Sequence, residues 1–114
     1  TSNLQNYLRE RLSASDITAK LEVKINEHHR ADIVCVVNSK KYTIEIQRTA
    51  ITYERLTQRI HIYEQEGYQI IWVIPITVIK KETQTLSVNN WILTLLQYQQ
   101  KIIFYCRTTK KFYH

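Results

Sequence analysis

Three polar residues break into an otherwise apolar stretch in the first half of the chain. Asp32 opens the run Asp32-Ile33-Val34-Cys35-Val36-Val37, and Glu45 and Gln47 alternate with Tyr42, Ile44 and Ile46 further on. With Ser39-Lys40 as a two-residue turn, residue 38 pairs with 41, Asp32 stands opposite Gln47 and Glu45 opposite Val34. Strand alternation then projects Asp32, Glu45 and Gln47 from one face, and the two carboxylates become diagonal neighbours about 7–8 Å apart at the backbone. At that separation both can reach one cation. A register shifted by one residue would part them. Two carboxylates sharing a hard divalent cation, with basic groups nearby, suit phosphodiester hydrolysis: the cation keeps waters, one of which can attack phosphorus, and offsets the charge developing on oxygen.

The same residues also describe a plain solvated hairpin face, and that reading stays open at this point. Two features weigh against it. Val34 and Val36 share the side of Asp32, which makes a poor solvent face. Arg59 lies about 60° from Leu56 and about 40° from Tyr63 around a helix, and an arginine flanking a buried stripe seeks a carboxylate or a phosphate. For Arg59, a structural salt bridge to Glu45 and a phosphate contact are both open.

The elements that must hold these residues follow from hydrophobic period and turn chemistry. Residues 2–13 predict a helix, with Leu4, Leu8 and Leu12 in one stripe and Ser2 as cap. Strands are expected over 17–25, 30–37 and 42–47, with Asn38 to Lys41 supplying a turn. Residues 52–66 predict a second helix, capped by Thr52 and stopped at Gly67, with Tyr53, Leu56, Ile60 and Tyr63 on its apolar face. A fourth strand over 68–74 ends at Pro75; a helix over 87–99 and short strands over 102–106 and 111–113 complete the order. The expected class is α/β, a mixed α+β sheet in which an antiparallel three-strand start leads through a helical crossover.

Composition narrows the function. The 114-residue chain suits one domain, 1–114, and its first residues, Thr-Ser rather than Met, lead us to expect a piece of a longer chain. A single glycine excludes a Walker loop and a dinucleotide fingerprint, both of which need several where backbone approaches phosphate. Cys35 and Cys106 sit in apolar runs and read as buried hydrophobes, and no Cys/His spacing suits structural zinc. With no signal peptide and no apolar stretch of membrane-spanning length, we expect a cytoplasmic protein without a membrane partner. The net charge of +6 is uneven: residues 68–114 hold six basic groups against Glu82 alone. Lys80, Lys81, Lys110 and Lys111 there are candidates to track phosphates, with plain solubility as the alternative. His28 and His29 read as solvated strand-edge residues, Tyr53 and Tyr63 as core, Trp72 as packing, and His61 is given no role.

Asp32, twelve residues, then Glu45-Ile46-Gln47 resembles the D…(D/E)xK signature of the restriction-endonuclease-like, or PD-(D/E)XK, superfamily, with glutamine in the lysine position. Arg30-Ala31-Asp32-Ile33, Ile44-Glu45-Ile46-Gln47, Ile51-Thr52-Tyr53-Glu54, Arg59, Tyr63 and Ile71-Trp72-Val73-Ile74 resemble more specifically the nuclease domain of the bacterial competence protein CoiA. The resemblance implies a nuclease core of order α-β-β-β-α-β, DNA as partner, and Mg²⁺ or Mn²⁺ as cofactor in DNA processing, competence or recombination. It implies Asp32, Glu45 and the carbonyl of Ile46 as metal ligands, and Gln47 as the residue orienting water or a phosphate oxygen. An amide carries no charge, so Arg59 or Arg48 would supply it, and Arg30 would join the phosphate contacts. The family's extra acid from the first helix corresponds to Glu10, with Glu22 on the first strand as the other candidate. Two rivals remain: a catalytically inactive DNA-binding module with the same fold, and a protein-interaction domain whose basic tail docks an acidic partner. A homodimer is expected to help so small a module cover duplex DNA.

Overall fold

The computed structural model describes residues 3–75, 90–106, 109 and 111–113. The order is α1 (Asn3–Ala14), β1 (Ala19–Asn26), β2 (His29–Val37), β3 (Lys40–Ile46), α2 (Tyr53–Gln65), β4 (Tyr68–Pro75), α3 (Asn90–Gln97), β5 (Lys101–Cys106) and β6 (Lys111–Tyr113). Every expected element is present within a few residues. Ser2, residues 87–89 of the expected third helix, Lys80, Lys81 and Lys110 lie outside the described residues.

One six-stranded sheet carries the strands in chain order, β1-β2-β3-β4-β5-β6. The outer pairs β1·β2, β2·β3 and β5·β6 are antiparallel, while β3·β4 and β4·β5 are parallel. Parallel neighbours need crossovers, and α2 and α3 provide them. Helices cover both faces. Leu4 and Leu8 of α1 pack on Ile33, Ile44, Val73 and Tyr105. On the other face, Leu56, Ile60 and Tyr63 of α2 and Trp91 and Leu95 of α3 pack on Ala31, Ile70, Trp72 and Ile74. Strand β4 alternates between the two cores, which is why its sequence is apolar at nearly every position.

Thr52 caps α2, its side chain accepting from the Arg55 N–H at 3.3 Å. Gly67 follows the helix with φ 78°, a left-handed conformation that glycine adopts without strain. The β2–β3 turn corrects the expected register. Val37 pairs with Lys40, so the turn residues are Asn38 and Ser39, at φ 52° and 66°. Two successive left-handed residues form the turn whose twist suits a hairpin, and asparagine tolerates that region better than lysine. The displacement is by two positions, which preserves side-chain parity while changing partners. Three burial expectations are also corrected. Tyr53 is 55% exposed at the start of α2, and Val36 is 57% exposed beside the hairpin turn. Cys35 is buried as expected, but Cys106 is half-buried.

Candidate functional site

The β2–β3 ladder runs from the turn to Ile33↔Ile44 and stops there, one position short of Asp32. Continuing the observed pairing sets Asp32 opposite Glu45 rather than opposite Gln47. Beyond this point side chains replace the ladder. Asp32 Oδ2 accepts the Ile46 N–H at 2.8 Å, and the Asp32 N–H donates to Glu45 Oε2 at 3.3 Å. The strands therefore fork, and each acid satisfies a main-chain donor of the opposite strand that would otherwise be orphaned. Side-chain alternation also breaks here: Ile33 packs in the α1-side core, whereas Ala31 packs in the α2-side core.

Strand β3 fixes the rest. The Gln47 N–H donates to Val73 O at 3.0 Å, so residues 45 and 47 turn their main-chain groups toward β4. Ile46 turns its N–H, and with it its carbonyl, toward the fork. Glu45 is 2% exposed and is held on its other side by α2 and the start of β2. The Tyr63 hydroxyl donates to Glu45 Oε1 at 2.5 Å, and His29 Nε2 lies 2.9 Å from the same oxygen and 2.8 Å from Tyr63 Oη. With the Tyr63 proton committed to Glu45, His29 is the donor to both oxygens. A carboxylate this deep requires such donors, and it has three.

The acids repel. Burial first, and the Glu45 charge second, push the Asp32 carboxyl up to about 6, with Glu22 adding a smaller push and the Ile46 N–H opposing them. Burial, then Glu45, raises the Tyr63 phenol as well. Glu22 reaches this group through Gln5 of α1, whose Nε2 donates to Glu22 Oε1 at 3.0 Å and to Asp32 O at 3.1 Å. Gln5 is only 5% exposed, so α1 reads the fork with a buried amide. Glu22 itself has φ 53°, opposite the fork in β1.

The sequence-derived residues fall into groups. Asp32, Glu45 and the Ile46 main chain converge, with Glu22 alongside. Glu10 is exposed on α1, and Arg48 and Lys111 are exposed. Gln47 is committed at both ends: its Oε1 accepts from Arg59 Nη1 at 3.0 Å and its Nε2 donates to Thr49 O at 2.6 Å. Arg59 does not make the salt bridge to Glu45 that was first weighed, since its partner is Gln47. His29 corrects the solvated-edge expectation, being tied into Glu45 and Tyr63. Tyr63 is core, as expected, but its hydroxyl belongs to the site. Trp72 packs with 0% exposure and sends its indole N–H to Gln100 Oε1 at 3.1 Å. Sequence reasoning missed Gln5 and His29. Gln5 left one signal, an amide one position after Leu4 on an otherwise amphipathic helix; His29 left none, because its importance depends on the exit angle of β2.

Among the described residues, no three His, Cys, Asp or Glu side chains gather as an all-protein metal cage. No described helix is long and apolar enough to cross a membrane.

A mixed sheet with covering helices and an Asp…Glu-x-Gln fork defines a restriction-endonuclease-like nuclease fold. The chain belongs to the family of the competence protein CoiA, nuclease-like domain, which it matches over residues 3–114. No curated protein matches it. Solved structures agree on the fold. The fdxN element excision controlling factor protein from Anabaena variabilis superposes with a TM-score of 0.57 at 12% identity, covering 99% of this chain and 98% of that one. SfsA of Pyrococcus furiosus, in complex with Ca²⁺, gives 0.55 at 13% identity, covering 90% of this chain and 56% of its own. A protein of unknown function from Silicibacter pomeroyi gives 0.51 at 12%, over 66% of this chain and 51% of that one. Against the last two, the chain spans about half the relative's length.

Proposed function

We propose that this domain is a metal-dependent DNA nuclease acting in DNA processing, with Mg²⁺ or Mn²⁺ as cofactor. The observation that carries this reading is the convergence of the Asp32 and Glu45 carboxylates at the β2–β3 fork, beside a main-chain carbonyl directed the same way. The donor set fits a hard cation. Two carboxylates and one carbonyl are oxygen donors, and with no third His, Cys, Asp or Glu joining them among the described residues they suit an ion that keeps much of its water shell. The raised Asp32 carboxyl fits too, because acids left to repel one another are relieved by a shared cation. When bound, the ion would lower the pKa of a water and offset charge on the phosphoryl oxygens.

The protein's own groups have distinct tasks in this reading. Asp32, Glu45 and the Ile46 carbonyl hold the cation. Tyr63 and His29 fix one Glu45 oxygen, leaving Oε2 toward Asp32. Gln47 cannot supply the charge of the usual lysine, and it instead docks Arg59, whose guanidinium keeps further N–H donors for a phosphate oxygen. Arg59 therefore carries the positive charge in the neighbourhood of the lysine position.

A second reading, an inactive DNA-binding module with the same fold, is favoured by one observation. Both ends of the Gln47 amide are already bonded, so it must release Arg59 or Thr49 to orient a water. Incubation of labelled duplex and single-stranded DNA with Mg²⁺ or Mn²⁺ separates the two. Cleavage that EDTA stops, and that falls at least about 100-fold in Asp32→Ala and Glu45→Ala, supports the nuclease; such losses are of the size seen when charge-stabilising groups are removed. Retention of DNA without cleavage supports the module, and undiminished cleavage by both variants overturns the site.

A further inference from the structure

The tip of the β1–β2 hairpin carries a concentration of charge that the fork does not use. Lys24, Asn26, Glu27, His28, His29 and Arg30 line an open hollow of about 390 Å³. Lys24 and Arg30 are cross-strand partners, and both are exposed. Like charges directly opposite one another destabilise a hairpin. Among the described residues neither is ion-paired, and the hollow offers Glu27 as its one acid against two permanent cations and two imidazoles. An anion in the hollow would meet both cations at one register position.

The tip is built rather than loose. The ladder shifts register between Lys24 and Asn26, and Asn26 Oδ1 accepts the His28 N–H at 2.8 Å, closing the turn with a side chain. Arg30 Nη1 touches Glu22 O at 3.4 Å, directing the guanidinium along β1 toward the acids. His29 forms part of the wall of the hollow, and its Nε2 lies on Glu45. One residue therefore separates the hollow from the carboxylate pair.

We propose that this hairpin tip is a second phosphate-binding site, taking the sugar–phosphate backbone of a nucleic acid beside the phosphate at Asp32 and Glu45. Its position relative to a scissile bond rests on the nuclease reading; its affinity for backbone does not. Among the described residues the hollow is lined by no Phe, Tyr or Trp, so what it chiefly offers is charge and N–H donors. That chemistry contacts phosphate without reading sequence.

The test is fluorescence anisotropy of labelled DNA, duplex and single-stranded, in EDTA over a series of salt concentrations. Lys24→Glu and Arg30→Glu are compared with Lys20→Glu, an exposed position further along β1 that pairs with Val34 and carries the same change of charge. Each hairpin variant should weaken binding at least about 10-fold and lower the salt slope by about one, while Lys20→Glu changes affinity by less than about threefold. Lys24→Glu places opposite charges across the hairpin, so its melting temperature should not fall and lost binding cannot be laid to unfolding. Equal losses in all three variants, no binding by the wild type, or competition by polyglutamate as effective as by unlabelled DNA overturns the site. Cleavage with Mn²⁺ is scored separately. Binding through the hairpin without cleavage keeps this site and removes the catalytic reading; cleavage with undiminished binding by both hairpin variants does the reverse.

Discussion

Replacing Asp32 with asparagine should make the metal-free protein more stable at neutral pH. The folded state raises this carboxyl from 3.8 to about 6, chiefly by burial and by the Glu45 charge. A group whose folded value lies above its unfolded value stabilises the fold fully below the unfolded value. That stability is lost as pH rises through the window from 3.8 to about 6. The shift of roughly two pH units sets a ceiling of about 3 kcal/mol, and because Asp32 is only half-buried, solvent screening reduces this to about 1–2 kcal/mol. Asparagine keeps the acceptor for the Ile46 N–H and gains an N–H₂ for Glu45, so it removes the charge without emptying the fork. Thermal unfolding followed by circular dichroism in EDTA should place Asp32→Asn about 5–10 °C above wild type at pH 7.5. At pH 4 the two should nearly coincide. Under the nuclease reading, Mg²⁺ or Mn²⁺ raises the melting temperature of the wild type and not of the variant. A variant no more stable than wild type at pH 7.5, or an advantage of equal size at both pH values, would refute the reasoning.

Tyr63→Phe should destabilise the fold by about 1–3 kcal/mol in urea unfolding, because it strips a hydrogen bond from a buried carboxylate; a change within about 0.5 kcal/mol would mean that His29 suffices alone. Lys24→Glu should stabilise by about 0.2–1 kcal/mol by turning a cross-strand repulsion into an attraction, and a loss of stability would show that the two cations do not meet. Gly67→Ala should cost about 1 kcal/mol from backbone strain alone, since the added methyl would lie 3.7 Å from the Lys41 side chain, an ordinary contact. An unchanged midpoint in that variant would place the helix end outside the left-handed region.

The hydrophobic periods made the elements legible. Leu4 and Leu8 at helical spacing, β4 apolar on both faces and Gly67 after α2 each carry a local signal that tertiary packing then used unchanged. The pairing of Asp32 with Glu45 was only half legible. Parity survived the turn error, because moving from Ser39-Lys40 to Asn38-Ser39 shifts the register by two. What the sequence could not carry was the break in alternation at Asp32, which arises where a carboxylate takes the place of a ladder bond. That break brings His29 to Glu45 and frees the hairpin tip. Gln5 was hidden for a related reason, and Glu22 was legible only as one of two candidate acids. Their meaning depends on how α1 lies across the sheet, which no spacing within α1 encodes.

The strand order of the sheet, which follows the chain from β1 to β6, has a consequence for how the protein comes to exist. A polypeptide emerging from its N-terminus can add each strand to the edge left by the one before, with no strand inserted between two others. The groups from Gln5 to Tyr63 that build the fork all precede β4. A nascent chain that has just reached Pro75 holds every group at the fork, yet Trp72 and Ile74 still lack Trp91 and Leu95. The residues of the fork come before β4, and the helix that covers Trp72 and Ile74 comes after it. An incomplete product would thus present its acids on a half-covered sheet, open to aggregation at the free β4 edge until β5 arrives.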